Sequence, residues 1–230
     1  MLIARQEKRG TRNPGRTRER LLQAAFREVH RSGFQSASID TILAASNVTK
    51  GALYHHFDSK EALGYAVIEE KIARLTRDRW LLPMLSDGEA IDVLIHIVRQ
   101  MPARPQDIKA GCVLLLLSQE MSPLDEQFRR RLERIFVDWQ EGIAALLRKG
   151  QAQRTVRRDL NPNEAASFLI ATIEGYSTLA KNAQDAAVWN AGVKNIVGWL
   201  RSLRAPRQSR RGGRRRLMSK RRVVKQRRRF

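Results

Sequence analysis

The stretch from Ser38 to Phe57 constrains this chain more than any other, because its residues predict two short helices joined by a tight turn. Ser38 is a helix-capping residue type, and apolar residues follow it at helical spacing. Asn47 comes next, and asparagine accepts the left-handed backbone conformation that a helix C-terminus often needs. Thr49 can then cap a second helix. The pattern therefore predicts a helix-turn-helix.

The second helix divides into an apolar side and a side of small, basic and aromatic residues. Ala52, Leu53 and Phe57 form the apolar side, which would hold the two helices at a fixed angle. A helix with a free side of this kind can enter the major groove of DNA. The residues expected at this interface, in the helix and beside it, are Ser38, Thr49, Lys50, Gly51, Ala52, Tyr54, His55 and Lys60.

Their roles follow from side-chain chemistry. Thr49 and the backbone of Lys50 and Gly51 lie at a helix N-terminus, which attracts phosphate. Lys50 is long enough to reach a guanine edge or a phosphate, and Gly51 lets the helix approach the bases closely. Tyr54 offers a hydroxyl to phosphate and a ring to a thymine methyl, and Lys60 is a further phosphate contact. The alternative is that this side of the helix is solvated and contacts no DNA.

The sequence in this region resembles the TetR family of transcriptional regulators. The resemblance rests on three segments with many fixed residue types at fixed spacing: Ile39–Ile42, Val48–Phe57 and Ser59–Leu63. It is close over residues 15–68 and looser to about residue 203. The family commonly has glycine in the turn where this chain has Asn47, which accepts the same backbone region. The resemblance implies a sequence-specific repressor that a small-molecule effector releases from its operator.

The rest of the chain also predicts helices, because apolar residues recur at helical spacing and alternating strand patterns are absent. We therefore expect an all-α fold in two parts. A three-helix DNA-binding domain would span residues 15–60, and a helical regulatory and dimerisation domain would span residues 61–203. A basic arm over residues 1–14 and an Arg-rich tail over residues 204–230 are expected to be disordered.

Prolines and capping residues set the expected helix ends in the second domain. Pro83 would limit the helix that begins after Ser59. Ser122 and Pro123 indicate the start of a long helix, and Gly150 its end. The two helices that follow are expected at about residues 162–182 and 186–203.

The chain of 230 residues carries a formal net charge of +21, which implies a polyanionic partner such as nucleic acid. Residues 201–230 contain 15 Lys and Arg and no acidic residue, which leaves +6 for the first 200 residues. This tail is either a polyanion-binding segment or an unselected extension. If the tail dominates, the alternative function is a constitutive, non-specific nucleic-acid-binding protein.

Other classes of protein fit the sequence poorly. The four histidines contain no i, i+4 pair, and there is no phosphate-binding loop, dinucleotide fingerprint or metal-ligand motif. We therefore expect no enzyme activity, no metal and no cofactor. The longest apolar run is too short for a membrane span, the N-terminus lacks a secretory signal, and a single cysteine excludes an intramolecular disulfide. A cytoplasmic protein is expected.

The TetR resemblance further implies a homodimer and an effector pocket in the second domain. The helices expected to pair are Pro123–Lys149 and Pro162–Asn182, and the expected interface residues are Phe168, Thr172, Ile173 and Tyr176. The expected pocket residues, each also compatible with plain core, are Leu81, Leu85, Ile95, Val98, Cys112, Leu116, Phe136 and Trp139. None of these is charged, so a mostly apolar effector is expected. Cys112 is either a small buried hydrophobe or a redox or electrophile sensor.

Overall fold

The computed structural model describes residues 14–206, and every regular element in that range is a helix apart from one isolated antiparallel bridge between Val156 and Arg204. The all-α prediction is confirmed. The expected basic arm and Arg-rich tail lie outside the described residues, except that Pro14 begins the first helix and Arg204 ion-pairs with Asp92. Within residues 14–206 no helix is long and apolar enough to cross a membrane.

Three helices form the N-terminal domain: α1 Pro14–Ser32, α2 Ile39–Ser46 and α3 Lys50–His56. Helix α1 begins at Pro14, since proline is favoured in a first helical turn. Leu21 and Leu22 from α1, Ile42 from α2 and Leu53 from α3 are fully buried together. This small core holds α3 against the other two helices.

One continuous helical run, α4, leads from the N-terminal domain into the second domain. Its segments are Lys60–Val67, Ile68–Ile72, Ala73–Thr76, Arg77–Leu81 and Leu82–Met84. The second and fourth segments are π-helical, since Ala73 N–H donates to Ile68 O and Leu82 N–H donates to Arg77 O. Such wide turns often occur at functional sites. The sequence placed the end of this helix before Pro83, but Pro83 lies inside the last turn and α4 ends at Met84.

Six further helices complete the second domain: α5 Ala90–Arg99, α6 Pro105–Ala110, α7 Val113–Met121, α8 Glu126–Ala152, α9 Pro162–Ala183 and α10 Ala186–Ser202. Helices α8, α9 and α10 pack side by side, and α5 lies against α8 and α10. Helix α6 was not predicted, although Pro105 at its first turn is a typical start. The last two helices lie where the sequence predicted them.

The predicted ends of α8 are wrong. The helix does not start at Ser122 and Pro123, because the carboxylate of Asp125 caps it by accepting from two backbone N–H groups at 2.6 and 3.0 Å. It does not end at Gly150 either, where a Cβ would lie 2.5 Å from Val156 Cγ2. Glycine at this position serves close packing inside the helix.

An aromatic contact joins the two domains. The ring centroids of Phe34, which follows α1, and Phe128, on α8, lie 4.5 Å apart. Gly64 on α4 makes room for this pair, because a Cβ there would lie 2.5 Å from Phe34 Cε2 and 2.8 Å from Phe128 Cζ. The N-terminal domain is therefore seated on α4 and α8 together.

Candidate DNA-binding surface and internal cavity

Side-chain caps fix the two helices of the helix-turn-helix. Ser38 Oγ accepts from Thr41 N and Thr49 Oγ1 accepts from Ala52 N, both at 3.3 Å. Asn47 has φ 50° and ψ 50°, the left-handed conformation that the sequence predicted. The turn and the start of α3 are thus set by local chemistry.

A contact that sequence reasoning missed also stabilises the turn. Arg20 on α1 donates to the carbonyl oxygens of Ser46 and Asn47, the latter at 3.1 Å. These carbonyls end α2, where the helix dipole favours a cation. The sequence shows an arginine on a polar face of α1, but it does not name the partner.

Most of the expected DNA-contacting residues share one exposed surface. The exposed residues are Thr49, Lys50, Gly51, Tyr54 and His55, and Ala52 is half-buried beside them. Leu53 and Phe57 are buried, as expected. A Cβ placed on Gly51 would find no atom of residues 14–206 within 4 Å, so the space above it is open.

Ser38 and Lys60 lie outside α3: Ser38 precedes α2, and Lys60 is the first residue of α4. The hydroxyl of Ser38 is used in capping α2. Lys60 Nζ donates to Gln35 O at 3.0 Å and lies 4.9 Å from the centroid of the Phe34 ring. An ammonium group has three N–H donors, so Lys60 retains donors for a second acceptor.

A cavity of about 170 Å³, partly open to solvent, lies in the second domain and reaches the end of α1. Helix α4 contributes residues from both π segments to its wall, including Ile72 and Trp80. Three indole rings line it, those of Trp80, Trp139 and Trp189, and the first two have ring centroids 4.8 Å apart. The wall is therefore largely aromatic and apolar.

Two of the eight residues expected in a pocket, Cys112 and Trp139, line this cavity. The other six do not line it: Leu81, Leu85, Ile95, Val98, Leu116 and Phe136. Leu85 is 77% exposed at the end of α4, whereas Ile95 and Val98 on α5 are buried in the hydrophobic core. Helical periodicity identifies a buried face, but it does not show where packing leaves a gap.

The wall also carries charged residues that the sequence did not single out. They are Arg79, Asp107 and Glu174, with His30 from α1. Glu174 directly follows Ile173 on α9. Helical spacing alone does not decide whether these two residues face a subunit interface or the interior of the domain. The cavity wall thus contains charged groups, whereas none of the eight expected pocket residues is charged.

Two of the lining residues each have a buried polar atom with no hydrogen-bond partner among residues 14–206: Trp139 Nε1 and Glu174 Oε2. Trp139 is 2% exposed and Glu174 is 7% exposed. An unpaired buried donor or acceptor costs about 1–3 kcal/mol, and most such groups in native proteins are paired. These atoms are unusual, and the two residues that carry them both contribute to the wall of the same cavity.

Glu174 also contacts Cys112. Burial raises the pKa of Glu174, and a hydrogen bond with the Cys112 thiol opposes that shift. Burial, and then the neighbouring Glu174, raise the pKa of Cys112 to about 12. The thiol is therefore protonated at neutral pH. This favours the interpretation of Cys112 as a small buried hydrophobe, because sensor cysteines need thiolate character.

Glu120 on α7 binds the N-terminal domain directly. Its carboxylate accepts from Phe34 N at 2.8 Å and from Gln35 N at 2.9 Å. Gly33 precedes these residues with φ 80°, and a Cβ there would lie 2.8 Å from Glu120 Oε2. Glycine is required here both by its backbone conformation and by the approach of the carboxylate.

Two ion pairs also join α1 to α4, and so contribute to the contact between the two domains. Arg18 pairs with Glu70, and Lys71 pairs with Glu19. The hydrogen bond with Arg18 lowers the pKa of Glu70, so this carboxylate is charged at neutral pH. The joint between the domains thus combines aromatic packing, a carboxylate bound to backbone N–H groups and exposed ion pairs.

The four expected interface residues occupy different environments. Phe168 is 51% exposed on α9, and its ring centroid lies 4.8 Å from that of Trp199 on α10. Ile173 is only 1% exposed and lines the cavity, so the expectation that it forms an interface is wrong. Thr172 and Tyr176 are half-buried. Thr172 Oγ1 donates to a backbone oxygen of its own helix, and the Tyr176 hydroxyl accepts from Asn195 Nδ2.

Comparison with known proteins agrees with this architecture. The family model for bacterial regulatory proteins of the tetR family matches residues 21–67, and a model of the tetracyclin repressor-like C-terminal domain matches residues 89–194. The HTH-type transcriptional repressor DhaR of Mycobacterium sp. (strain GP1) is 31% identical over 159 residues, which are 69% of this chain and 79% of DhaR. This chain belongs to the TetR family.

Two further relatives of this TetR-family chain cover most of its length. The transcriptional regulator AcuR of Cereibacter sphaeroides is 30% identical over 176 residues, which are 75% of this chain and 80% of AcuR. A TetR transcriptional regulator from Chloroflexus aurantiacus J-10-FL superposes with a TM-score of 0.77 at 26% identity, covering 85% of this chain and 100% of that one. The TetR-family protein described here is a DNA-binding transcriptional regulator.

Proposed function

We propose that this regulator is a homodimeric repressor, which binds a pseudo-palindromic operator through α3 of each subunit and releases it when a small molecule enters the cavity. The observation that carries the proposal is the double role of α4. Its N-terminal segment packs on the helix-turn-helix domain, and its two π segments form part of the cavity wall. A change in the cavity therefore acts on the helix that seats the DNA-binding domain.

The proposed DNA contacts follow from positions on α3. Lys50 and Tyr54 are four residues apart, as are Gly51 and His55, so each pair lies on one side of the helix. Lys50 would reach a guanine edge or a phosphate, and Tyr54 a phosphate or a thymine methyl. The open space above Gly51 would let the backbone approach the bases. Thr49 would present the N-terminus of α3 to phosphate.

For the dimer we propose the surface formed by α9 and α10. Helix α9 exposes the large apolar side chains Phe168 and Leu179, and the ring of Trp199 on α10 packs at a tilt against Phe168. A Cβ on Gly175 or Gly198 would find no described atom within 4 Å, so a second backbone can approach closely there. The outer side of α8 instead carries ion pairs within the helix. This supports α9 and α10 rather than the α8–α9 pairing that the sequence suggested.

A dimer of this kind sets the spacing of the two α3 helices. Two-fold symmetric helix-turn-helix dimers read half-sites about 34–36 Å apart, one turn of DNA. A ligand that tilts α4 would change that spacing, so that both half-sites no longer fit. Thermodynamically the ligand must bind the released conformation better than the DNA-bound one, and the difference is the coupling free energy.

Selection of DNA from a random pool by the full chain tests the proposal. The expected result is one enriched pseudo-palindrome that a chain ending at residue 206 also selects. A tail-driven, non-specific binder would enrich no motif and would lose most of its affinity without residues 207–230. Its binding would also fall steeply with salt concentration. Enrichment of no motif would reject the operator-reading function.

A further inference from the structure

Arg20 lies on α1 and reaches the turn of the helix-turn-helix. Its Nη2 group donates to the carbonyl oxygens of Ser46 and Asn47, the latter at 3.1 Å. A guanidinium has five N–H donors, and these two carbonyls occupy the two on Nη2. The donors on Nε and Nη1 have no hydrogen-bond partner among residues 14–206, and the residue is exposed. Arg20 therefore has donors available for a second partner.

The charge of Arg20 is not compensated by an acidic side chain, unlike the charges of its neighbours on α1. Arg18 pairs with Glu70 on α4. Glu19 pairs with Lys71 on the same helix. Arg20 forms no ion pair with any carboxylate in the described part of the chain. The two carbonyls at the end of α2 carry only partial negative charge, so they hold the guanidinium in place without cancelling its charge.

The short chain segment between Asn47 and α3 places this guanidinium near the start of α3. Asn47 is two residues before Thr49, which caps α3, and two residues of backbone span at most about 7 Å. With the hydrogen bond added, the guanidinium lies no more than about 13 Å from the Cα atom of Thr49. The N-terminal residues of a recognition helix reach base edges in the major groove, which is about 12 Å wide and bordered by phosphates. With α3 in the groove, a bordering phosphate can therefore reach Arg20.

We propose that Arg20 binds a DNA phosphate while it holds the turn, so that one side chain both positions α3 and contacts the DNA backbone. The inference rests on the proposed entry of α3 into the major groove, and it adds a residue of α1 to the DNA-binding surface. Without Arg20, the carbonyl oxygens that end α2 would bring partial negative charge close to a polyanion. Arginine makes this part of the surface attractive to phosphate. Because phosphate contacts carry no direct sequence information, Arg20 contributes affinity and orientation rather than operator preference.

The salt dependence of DNA binding by the full-length protein tests the proposal. Fluorescence anisotropy gives operator affinity at several KCl concentrations for the wild type, for Arg20→Gln, which removes the charge, and for Arg20→Lys, which keeps it. We expect Arg20→Gln to weaken binding about tenfold at low salt. It should also reduce the slope of log affinity against log salt by about 0.9 for each subunit bound, the value for one phosphate contact. Arg20→Lys should keep the wild-type slope.

Arg201→Gln is the matched control, because it removes the same charge from an exposed arginine at the end of α10. That end lies beside the loop after α8, where Arg157 N donates to Leu203 O at 2.9 Å. The other end of α8 contacts the DNA-binding domain through Phe128, and its 27 residues span about 40 Å. The control should keep the wild-type slope. An equal loss of slope in both variants would overturn the proposal, because net charge would then explain the effect.

Thermal unfolding separates the two roles of Arg20. Loss of the turn contacts should lower the melting temperature of Arg20→Gln, but a purely structural effect releases no fewer counterions and leaves the salt slope unchanged. A wild-type slope in Arg20→Gln would therefore overturn the phosphate contact even if affinity falls.

The same salt series with Lys50→Ala and Tyr54→Ala distinguishes this inference from the proposed function. If these α3 variants weaken binding and Arg20→Gln keeps the wild-type slope, only the assignment of Arg20 fails. If Arg20→Gln lowers the slope and neither α3 variant weakens binding, the phosphate contact stands and the proposed use of α3 fails. If selection enriches no operator, the series on a random duplex still tests Arg20, because a phosphate contact does not depend on sequence.

Discussion

His30 Nε2 lies 3.0 Å from the carbonyl oxygen of Gly111, and this contact joins the last turn of α1 to the cavity wall. A carbonyl oxygen only accepts, so the ring nitrogen must carry the hydrogen. Burial lowers the pKa of His30, the hydrogen bond to Gly111 opposes that shift, and Lys181 adds to it. The ring is therefore neutral at neutral pH and donates through Nε2–H. One side chain of the DNA-binding domain thus contacts the cavity directly.

The first prediction concerns this contact. His30→Phe removes the donor and keeps a ring of similar shape, so the free energy of unfolding should fall by about 1 kcal/mol. The ratio of operator Kd values with and without a saturating cavity ligand should move toward one, because a link between cavity and α1 is lost. Arg27→Ala, an exposed change on the same helix, is the control. A His30→Phe ratio equal to that of the control would show that the contact carries no coupling.

The second prediction is a pH dependence with a definite sign. The pKa of His30 is lower in the folded protein than its ordinary value of 6.5. Below about pH 6.5 the unfolded chain therefore takes up a proton that the folded chain does not, and the free energy of unfolding falls as pH decreases. The buried carboxyl of Glu174 has a raised pKa and contributes with the opposite sign as pH rises above 4.5.

Comparison with a variant isolates the histidine. Denaturant unfolding of the wild type and of His30→Phe between pH 5 and 8 should give curves that converge as pH falls, because only the wild type loses stability from protonation of His30 in the unfolded state. Parallel curves would mean that the pKa of His30 is the same in both states.

The sequence predicted the DNA-binding domain far better than the cavity, and the reason is physical. Ser38, Asn47 and Thr49 act on backbone groups within a few residues, so their side chains alone reveal the turn. The contacts of Arg20 and Glu120 join residues that are distant along the chain, and periodicity does not identify such partners. A cavity is a failure of packing between several helices. The apolar spacing in α9 fits an interface and a cavity wall equally well. The prediction placed Ile173 at the interface, whereas it lines the cavity.

The third prediction concerns the carboxylate that holds the turn after α1. Glu120→Gln leaves one carbonyl oxygen where two carboxylate oxygens accept from Phe34 N and Gln35 N. We expect the free energy of unfolding to fall by about 1–2 kcal/mol. Operator affinity should also fall, because this turn leads into α2. Gln119→Ala, the exposed neighbour on α7, is the control, and equal melting temperatures for the two variants would contradict the role of Glu120.

The fourth prediction separates an interface residue from a core residue on the same helix. Phe168→Arg places a charge on the exposed side of α9, so it should produce folded monomers with unchanged helicity. Ile173→Arg places a charge in the interior, so it should unfold the protein by leaving that charge unpaired. Light scattering and circular dichroism together distinguish the two results. A Phe168→Arg protein that remains dimeric would exclude the proposed α9–α10 interface.

The fifth prediction tests the surface of α3. Lys50→Ala and Tyr54→Ala should each weaken operator binding by about 1–3 kcal/mol and leave the melting temperature unchanged, because both side chains are exposed. If Lys50 contacts a phosphate, its loss should also lower the slope of log affinity against log salt by about 1. If it contacts a base, the operator preference at one position should relax instead.

Gly51→Ala gives the sharpest form of this test, because stability and binding should move in opposite directions. Alanine is favoured over glycine inside a helix by about 1 kcal/mol, and a Cβ at this position meets no described atom, so the folded protein should become more stable. The same methyl group projects from the surface that is proposed to meet the bases, so operator affinity should fall. Thermal unfolding and anisotropy titration measure the two effects on one sample. A more stable variant with undiminished operator affinity would show that α3 does not approach DNA through this side.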